Sequence, residues 1–289
     1  MNCLSIAVTS YNNLSLRGVA SLERTLDSIR TAREVLRGEA PIRVALVWVD
    51  DGSDDGTAQW LGARLRESRD EWFCHNEVNH FIGFARNQAA ARIASDIVVP
   101  FDSDDEMYPE HLLVGWRALN TVDPSGRRPA WVSTRCDFGG CGEIHPEWAE
   151  RVALTIPSTK FVLRRVWDFV EGWPDSRLYR TTWGVDIDFD AVVGTFFVVC
   201  PVENCTVRYW HYPGSKLDRQ LARFKLPPSE QVEDLPEAAT PDDHRLRERM
   251  LHFHIGYLKY KLERLTDPQG FDDLVTNFAF VDDGASGGD

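Results

Sequence analysis

Short apolar blocks at residues 4–9, 42–49, 72–77 and 97–101 set the rhythm of the first hundred residues, with segments of helical apolar spacing at 19–36, 57–69 and 84–95 between them. Blocks of this length bounded by turn residues predict strands, and the 3.6-residue spacing predicts amphipathic helices. Strand and helix in alternation predict an α/β fold built on a parallel sheet. Polar loops at 9–13, 50–56 and 102–106 follow three of the strands. Ligands of such sheets gather at the carboxyl ends of the strands, so three stretches distant in sequence are expected to meet in one crevice.

Beyond about residue 122 the rhythm breaks into segments rich in Gly, Pro and Trp, expected to shape a pocket for a second substrate. A Pro-, Glu- and Asp-rich stretch at 227–243 reads as a linker or mobile loop, and 282–289 as a disordered tail. Between them an amphipathic helix is expected over 244–265, carrying Leu251, Ile255, Leu258, Leu262 and Leu265 on one side. That stripe packs on its own domain or, as an alternative, touches a membrane surface or a second subunit. The organisation expected is therefore 1–121, 122–226, 227–243 and 244–289.

The 289 residues suffice for one sizeable core, burying about three quarters of the unfolded surface. Acidic residues outnumber basic ones 45 to 32, and the net charge of -13 argues against a nucleic-acid binder, whose affinity comes from Lys and Arg on phosphates. An anionic ligand must then bring or find a cation. The longest apolar runs, such as 42–49 and 191–200, fall short of the roughly 18 residues of a membrane span. The chain enters its first strand without the pattern of a signal peptide, and a cytoplasmic location is expected. Six cysteines are too few for a disulfide scaffold in a chain this long. The pairs Cys136/Cys141 and Cys200/Cys205 are loosely spaced for a structural zinc and read first as small buried side chains, with metal binding left open.

FDSDDEM at 101–107 sets three carboxylates within four residues directly after a strand. At about 4 Å and an effective dielectric of 20, each like-charge pair costs about 4 kcal/mol, so a bare cluster would hold its protons more tightly. A hard divalent cation, Mg²⁺ or Mn²⁺, would relieve this. The alternative is a solvated acidic turn capping the next helix.

The cluster has company: TSYNN (9–13), VDDGSDDGT (49–57), GFARN (83–87) and FDSDD (101–105). In this order and spacing the chain resembles the nucleotide-sugar-binding half of family 2 glycosyltransferases. The resemblance implies a GT-A fold: a Rossmann-like, mostly parallel sheet flanked by helices, followed by an irregular acceptor-binding half. It implies that Thr9 and Tyr11 flank the nucleoside and that Asp51 accepts a hydrogen bond from the base, which favours uridine or thymidine diphosphate sugars. Arg86 would reach the nucleotide or its diphosphate. Asp102, Ser103 and Asp104 form the D-x-D motif on Mn²⁺ or Mg²⁺, with Asp104 in direct metal contact, and Asp105 would hold the donor sugar or Arg86.

In the same family a later Glu-Asp pair supplies the base that deprotonates the acceptor hydroxyl. The corresponding segment here is TTWGVDIDFDAVV (181–193), where Val185 stands in place of Glu and Asp186 falls on the Asp position. In a helix Asp186 and Asp190 would share a face with Asp188 turned away; in a strand all three would line one side. Asp186 is the candidate base, with Asp188 and Asp190 left open. Trp183, three residues earlier, is the candidate for acceptor stacking. In VRYWHYPGSKLDRQLARFK (207–225) the resemblance makes His211 a candidate metal ligand, and the basic residues that follow could close over the diphosphate.

The implied activity is a metal-dependent, inverting transfer of one sugar to a hydroxyl of a glycan, lipid-linked or small-molecule acceptor. Alternatives are a nucleotidyltransferase, although the Gly-rich, Lys-bearing N-terminal loop expected there is missing, and a catalytically silent nucleotide-sugar-binding protein.

Overall fold

A computed structural model of the chain describes residues 1–65, 68–121, 129–139, 144–182, 184–213, 215, 225–227 and 239–264. Trp183, Cys141, Leu265, the basic residues Lys216, Arg219 and Arg223, most of the 227–243 stretch and the 282–289 tail lie outside them.

The four expected strands form as β1 (Cys3–Ser10), β2 (Arg43–Asp50), β3 (Glu71–His75) and β4 (Ile97–Asp102), all parallel, with β2 and β4 on either side of β1. β1, β2 and β4 are apolar on both faces, with Leu4, Ile6, Val8, Leu46, Trp48, Val99 and Phe101 buried. That continuity marks strands covered by helices on both sides. The covering helices are α1 (Asn13–Arg17), α2 (Val19–Glu39), α3 (Thr57–Gly62), α4 (Ile82–Ala91) and α5 (His111–Asn120). In α2 the buried stripe Leu22, Leu26, Ile29 and Leu36 repeats at helical spacing. α3 stops at Gly62, short of the expected 57–69.

The second half joins the same sheet. The short β5 (Glu106–Met107) precedes β6 (Trp131–Gly139), β7 (Lys160–Leu163) and β8 (Val199–Trp210), and the strand order is β3-β2-β1-β4-β7-β6-β8-β5. β7 runs antiparallel to both β4 and β6, β8 runs parallel to β6, and β5 pairs antiparallel with β8. The sheet is thus parallel in its first half and mixed beyond. Helices α6 (Pro146–Thr155), α7 (Arg164–Phe169), α8 (Tyr179–Thr182) and α9 (Val185–Phe196) lie between these strands, and α10 (Pro241–Arg264) is the C-terminal helix.

α10 turns Leu258 fully into the core, with Leu251, Ile255 and Leu262 packed beside it. The apolar stripe of the sequence therefore docks on its own domain. A second row, Leu246, Met250, Phe253, Tyr257 and Tyr260, stays exposed. Among the described residues no helix is long and apolar enough to cross a membrane.

Candidate functional site

The parallel register sets the ends of β1, β2 and β4 level: Thr9 lies opposite Asp102 and Ser10 opposite Asp50. The loops leaving those ends line one pocket of about 300 Å³ that includes Thr9, Tyr11, Asp51, Asp102, Ser103 and Asp104. Residues from the first, second and fourth strands thus meet in one crevice.

The adjacent acids Asp50 and Asp51 divide the work. Asp50, fully buried, accepts hydrogen bonds from Ser10 Oγ (3.0 Å), Ser53 Oγ (2.6 Å) and the Ser53 amide (3.1 Å), and pairs with His75 Nδ1 (2.8 Å). Its role is to knit three strand ends together. Asp51, 3% exposed, faces the pocket and accepts from Asn76 Nδ2 (3.0 Å), the His80 amide (3.1 Å) and the Phe81 amide (2.7 Å). A carboxylate has about four acceptor positions, so one is left for a ligand. Gly52 makes this approach of two chain segments feasible. Its φ is +80°, and a Cβ there would stand 2.5 Å from the Val78 carbonyl carbon and 2.6 Å from the Asn79 nitrogen. Thr9 Oγ1 is buried without a hydrogen-bond partner among the described residues, an uncommon condition that a bound ligand would relieve. Tyr11 projects at the mouth, 45% exposed.

At the other end the acids of the D-x-D run are held by arginines. Arg86, on α4 and 1% exposed, places Nη2 2.6 Å from Asp102 Oδ1 and Nη1 2.6 Å from Asp186 Oδ1. Its guanidinium stacks 4.7 Å from the Trp173 ring. Arg17 Nε lies 2.9 Å from Asp104 Oδ2. Two guanidinium groups therefore meet part of the counter-charge demanded by the clustered acids. Ser103 Oγ accepts from Asn13 Nδ2 at 2.9 Å. Asp105 is buried and accepts from Ser158 Oγ at 2.5 Å, with the Arg86 charge also acting on it. Burial, and then the charges of Asp104 and Asp102, raise Asp105 well above the usual carboxylate range. Asp102 is raised too, by burial, with Arg86 opposing.

Three acids on the first turns of α9 have three different partners. Asp186 joins Arg86. Asp188 turns the other way, accepting from Tyr179 Oη (2.7 Å) and from Arg247 Nη2 (2.6 Å) and Nε (2.8 Å) on α10. Asp190 lies 2.8 Å from the fully buried Lys160 Nζ. The segment is helical, so Asp186 and Asp190 share a face. Of the three, Asp186 is the one hydrogen-bonded into the D-x-D cluster through Arg86.

His211 follows β8, its amide donating to Gly139 O at 2.9 Å. Among the described residues no three His, Cys, Asp or Glu side chains are arranged as a metal cage. Asp102 and Asp104 still fit a divalent ion, because each lines the pocket and keeps one carboxylate oxygen that bonds no described residue. Two carboxylates completed by substrate phosphates are an ordinary Mg²⁺ or Mn²⁺ site.

Two contributors escaped the sequence. Tyr209 lines the pocket from β8, and its phenol is raised well above the usual range, first by burial and then by Asp105, Asp104, Asp102 and Asp186. Arg17 carries no motif. For Tyr209 the signal was period-two alternation in 207–210, overshadowed by the resemblance that singled out His211.

Residues 5–182 match the family profile described as Glycosyl transferase family 2. An undecaprenyl-phosphate mannosyltransferase of Micrococcus luteus is 27% identical over 203 residues, 66% of this chain and 72% of that protein. The crystal structure of S. aureus TarS 1-349 in complex with UDP-GlcNAc superposes with a TM-score of 0.59 at 15% identity, covering 88% of this chain and 66% of that one. The UDP complex of the same protein gives 0.56 at 18% identity, covering 74% and 61%. The mannosyltransferase PcManGT from Pyrobaculum calidifontis, in complex with GDP-Man and Mn²⁺, gives 0.50 at 16% identity over 95% and 79%. The chain spans less than two thirds of the TarS chains it matches, and at these identities the likeness concerns the fold.

Proposed function

The chain belongs to glycosyl transferase family 2, carries the GT-A fold and is a glycosyltransferase; on that premise we propose that it moves one sugar from a UDP- or dTDP-sugar to an acceptor hydroxyl, with inversion, by a single in-line displacement. The observation that carries this reading is the convergence of Thr9, Asp51, Asp102 and Asp104 on one pocket at the strand ends.

Asp51 offers its remaining acceptor position to the imide N–H of uracil or thymine, held in place by three donors to its carboxylate. Thr9 and Tyr11 border the nucleoside. Asp102 and Asp104 would hold the divalent ion, whose chemistry when bound is Lewis-acid stabilisation of the departing diphosphate. Arg86 fixes one oxygen of Asp186 and leaves the other for the acceptor. Asp186 then takes the hydroxyl proton as the oxygen attacks the anomeric carbon opposite the leaving group, with no covalent enzyme intermediate. The acceptor is a hydroxyl of a glycan, a lipid-linked sugar or a small molecule.

The names of the solved neighbours leave the donor base open, since TarS is seen with UDP-GlcNAc and PcManGT with GDP-Man. The test is calorimetric titration of UDP, dTDP and GDP with Mn²⁺, followed by an assay of nucleoside diphosphate release. UDP or dTDP should bind more tightly than GDP, and Asp104→Asn should lose the metal-dependent part of that binding. Asp186→Asn should bind normally and lose turnover by about a hundredfold or more. Tighter GDP binding overturns the role of Asp51, full activity in Asp186→Asn removes that base, and release of pyrophosphate makes the enzyme a nucleotidyltransferase.

A further inference from the structure

β8 alternates as it passes the acid end of the pocket. Arg208 and Trp210 face one side, where Arg208 meets Asp137 and Tyr108, and Trp210 Nε1 donates to Glu106 Oε2 at 3.0 Å. Tyr209 faces the other side and lines the pocket with Asp102, Ser103 and Asp104. Its ring is set edge-on against Phe138, 6.0 Å between centroids, so packing fixes where the phenol points. The Tyr209 hydroxyl makes no hydrogen bond to a described residue. The carboxylates of Asp102, Asp104, Asp105 and Asp186 all act on it electrostatically.

A phenol carries its proton at neutral pH and is a donor without net charge. The two guanidinium groups nearby are already paired, Arg17 with Asp104 and Arg86 with Asp102 and Asp186. Among the described residues the hydroxyls that line this end add neutral donors to the remaining N–H groups of the two guanidinium groups, and Tyr209 reaches in from the far half of the sheet. We infer that Tyr209 donates a hydrogen bond to the terminal phosphate of the bound nucleoside diphosphate, stabilising it as a leaving group. This rests on the donor-site reading above. The phosphate lies at the Asp102–Asp104 end because the nucleoside occupies the Asp51 end, and a neutral donor suits an anion surrounded by acids. The hydrogen bond strengthens as negative charge develops on the phosphate oxygen.

The experiment titrates wild type and Tyr209→Phe with UDP, UMP, GDP and GMP in the presence of Mn²⁺, and follows turnover of the preferred donor. Phe keeps the ring contact with Phe138, so the fold is retained. The diphosphate of the preferred base should bind about 10- to 100-fold more weakly to the variant, as for loss of a hydrogen bond to a charged group. The matching monophosphate should stay within about twofold, and kcat should fall by about 100-fold. Equal weakening of mono- and diphosphate makes Tyr209 a packing residue and overturns the inference. Unchanged diphosphate binding, with or without weaker binding of the intact sugar donor, overturns it as well. Wild-type protein that binds none of the four nucleotides overturns the donor site itself, and Tyr209 with it.

Discussion

Lys160 is fully buried, and its Nζ meets Asp190 Oδ2 at 2.8 Å beneath the candidate base. The other oxygen of Asp190 is buried and has no hydrogen-bond partner among the described residues. Burial pushes the Asp190 carboxyl up to about 6 against the pull of Lys160. A carboxyl raised above its unfolded value of about 3.9 contributes stability fully below about pH 4, and that contribution is lost as pH rises through about 6. At neutral pH the pair persists because each ion answers the other. Asp190→Asn takes the charged partner from the buried Lys160 and should destabilise the protein at pH 7 by at most about 3–5 kcal/mol, less what relieving the raised Asp190 carboxyl returns. Adding Lys160→Met should restore most of the loss. Thermal melts of the two variants check this, and a double variant no more stable than the single one would show that the pair is not the cause. The sequence left Asp186, Asp188 and Asp190 open because spacing alone decides neither between helix and strand nor which face meets the crevice. Their partners, Arg86, Arg247 and Lys160, come from elements that spacing cannot place.

α10 is pinned to the helix that carries Asp186. Arg247 forms a bidentate pair with the buried Asp188. Gly184 just before α9 has φ +76°, and a Cβ there would lie 2.5 Å from the Arg247 guanidinium, so glycine keeps this clamp closed. Arg247→Met strands a buried carboxylate and should cost about 3–5 kcal/mol. The cost should be local: amide exchange over 241–264 should speed up while β1, β2 and β4 stay protected, and uniform loss of protection would refute the clamp. At this scale the sequence was readable where pattern and burial agree. β1, β2 and β4 are continuous apolar blocks, and the docked stripe of α10 follows the helical period. β6 and β8 were not readable. Much of both is only half covered, their register slips between Ser133 and Cys136, and their pairing joins segments about 70 residues apart. β5 is two residues long and exists through its partner β8.

Arg86 and Ser158 both join the two halves of the molecule at its site. Arg86 comes from the first half of the chain and ties Asp102 at the end of β4 to Asp186 on α9, with Trp173 against its flat face. The motifs foretold which residues meet at the strand ends, because parallel topology alone brings those ends together. They did not foretell that the acids would be matched by Arg86 and Arg17, since charge pairing depends on how the two halves close. The junction makes a testable demand on stability. In metal-free buffer, Arg86→Gln leaves Asp102 and Asp186 facing each other without their shared cation. Asp102 is already raised by burial, and loss of Arg86 must raise it further. A folded-state value above the unfolded one means that stability is retained at low pH and lost as pH rises. The variant should therefore fall below wild type by about 3–5 kcal/mol near pH 8, with the gap narrowing toward pH 5 as Asp102 takes up its proton. Chemical denaturation at the two pH values measures it, and a deficit that does not change with pH would mean that Arg86 holds the halves together by packing on Trp173 rather than by charge.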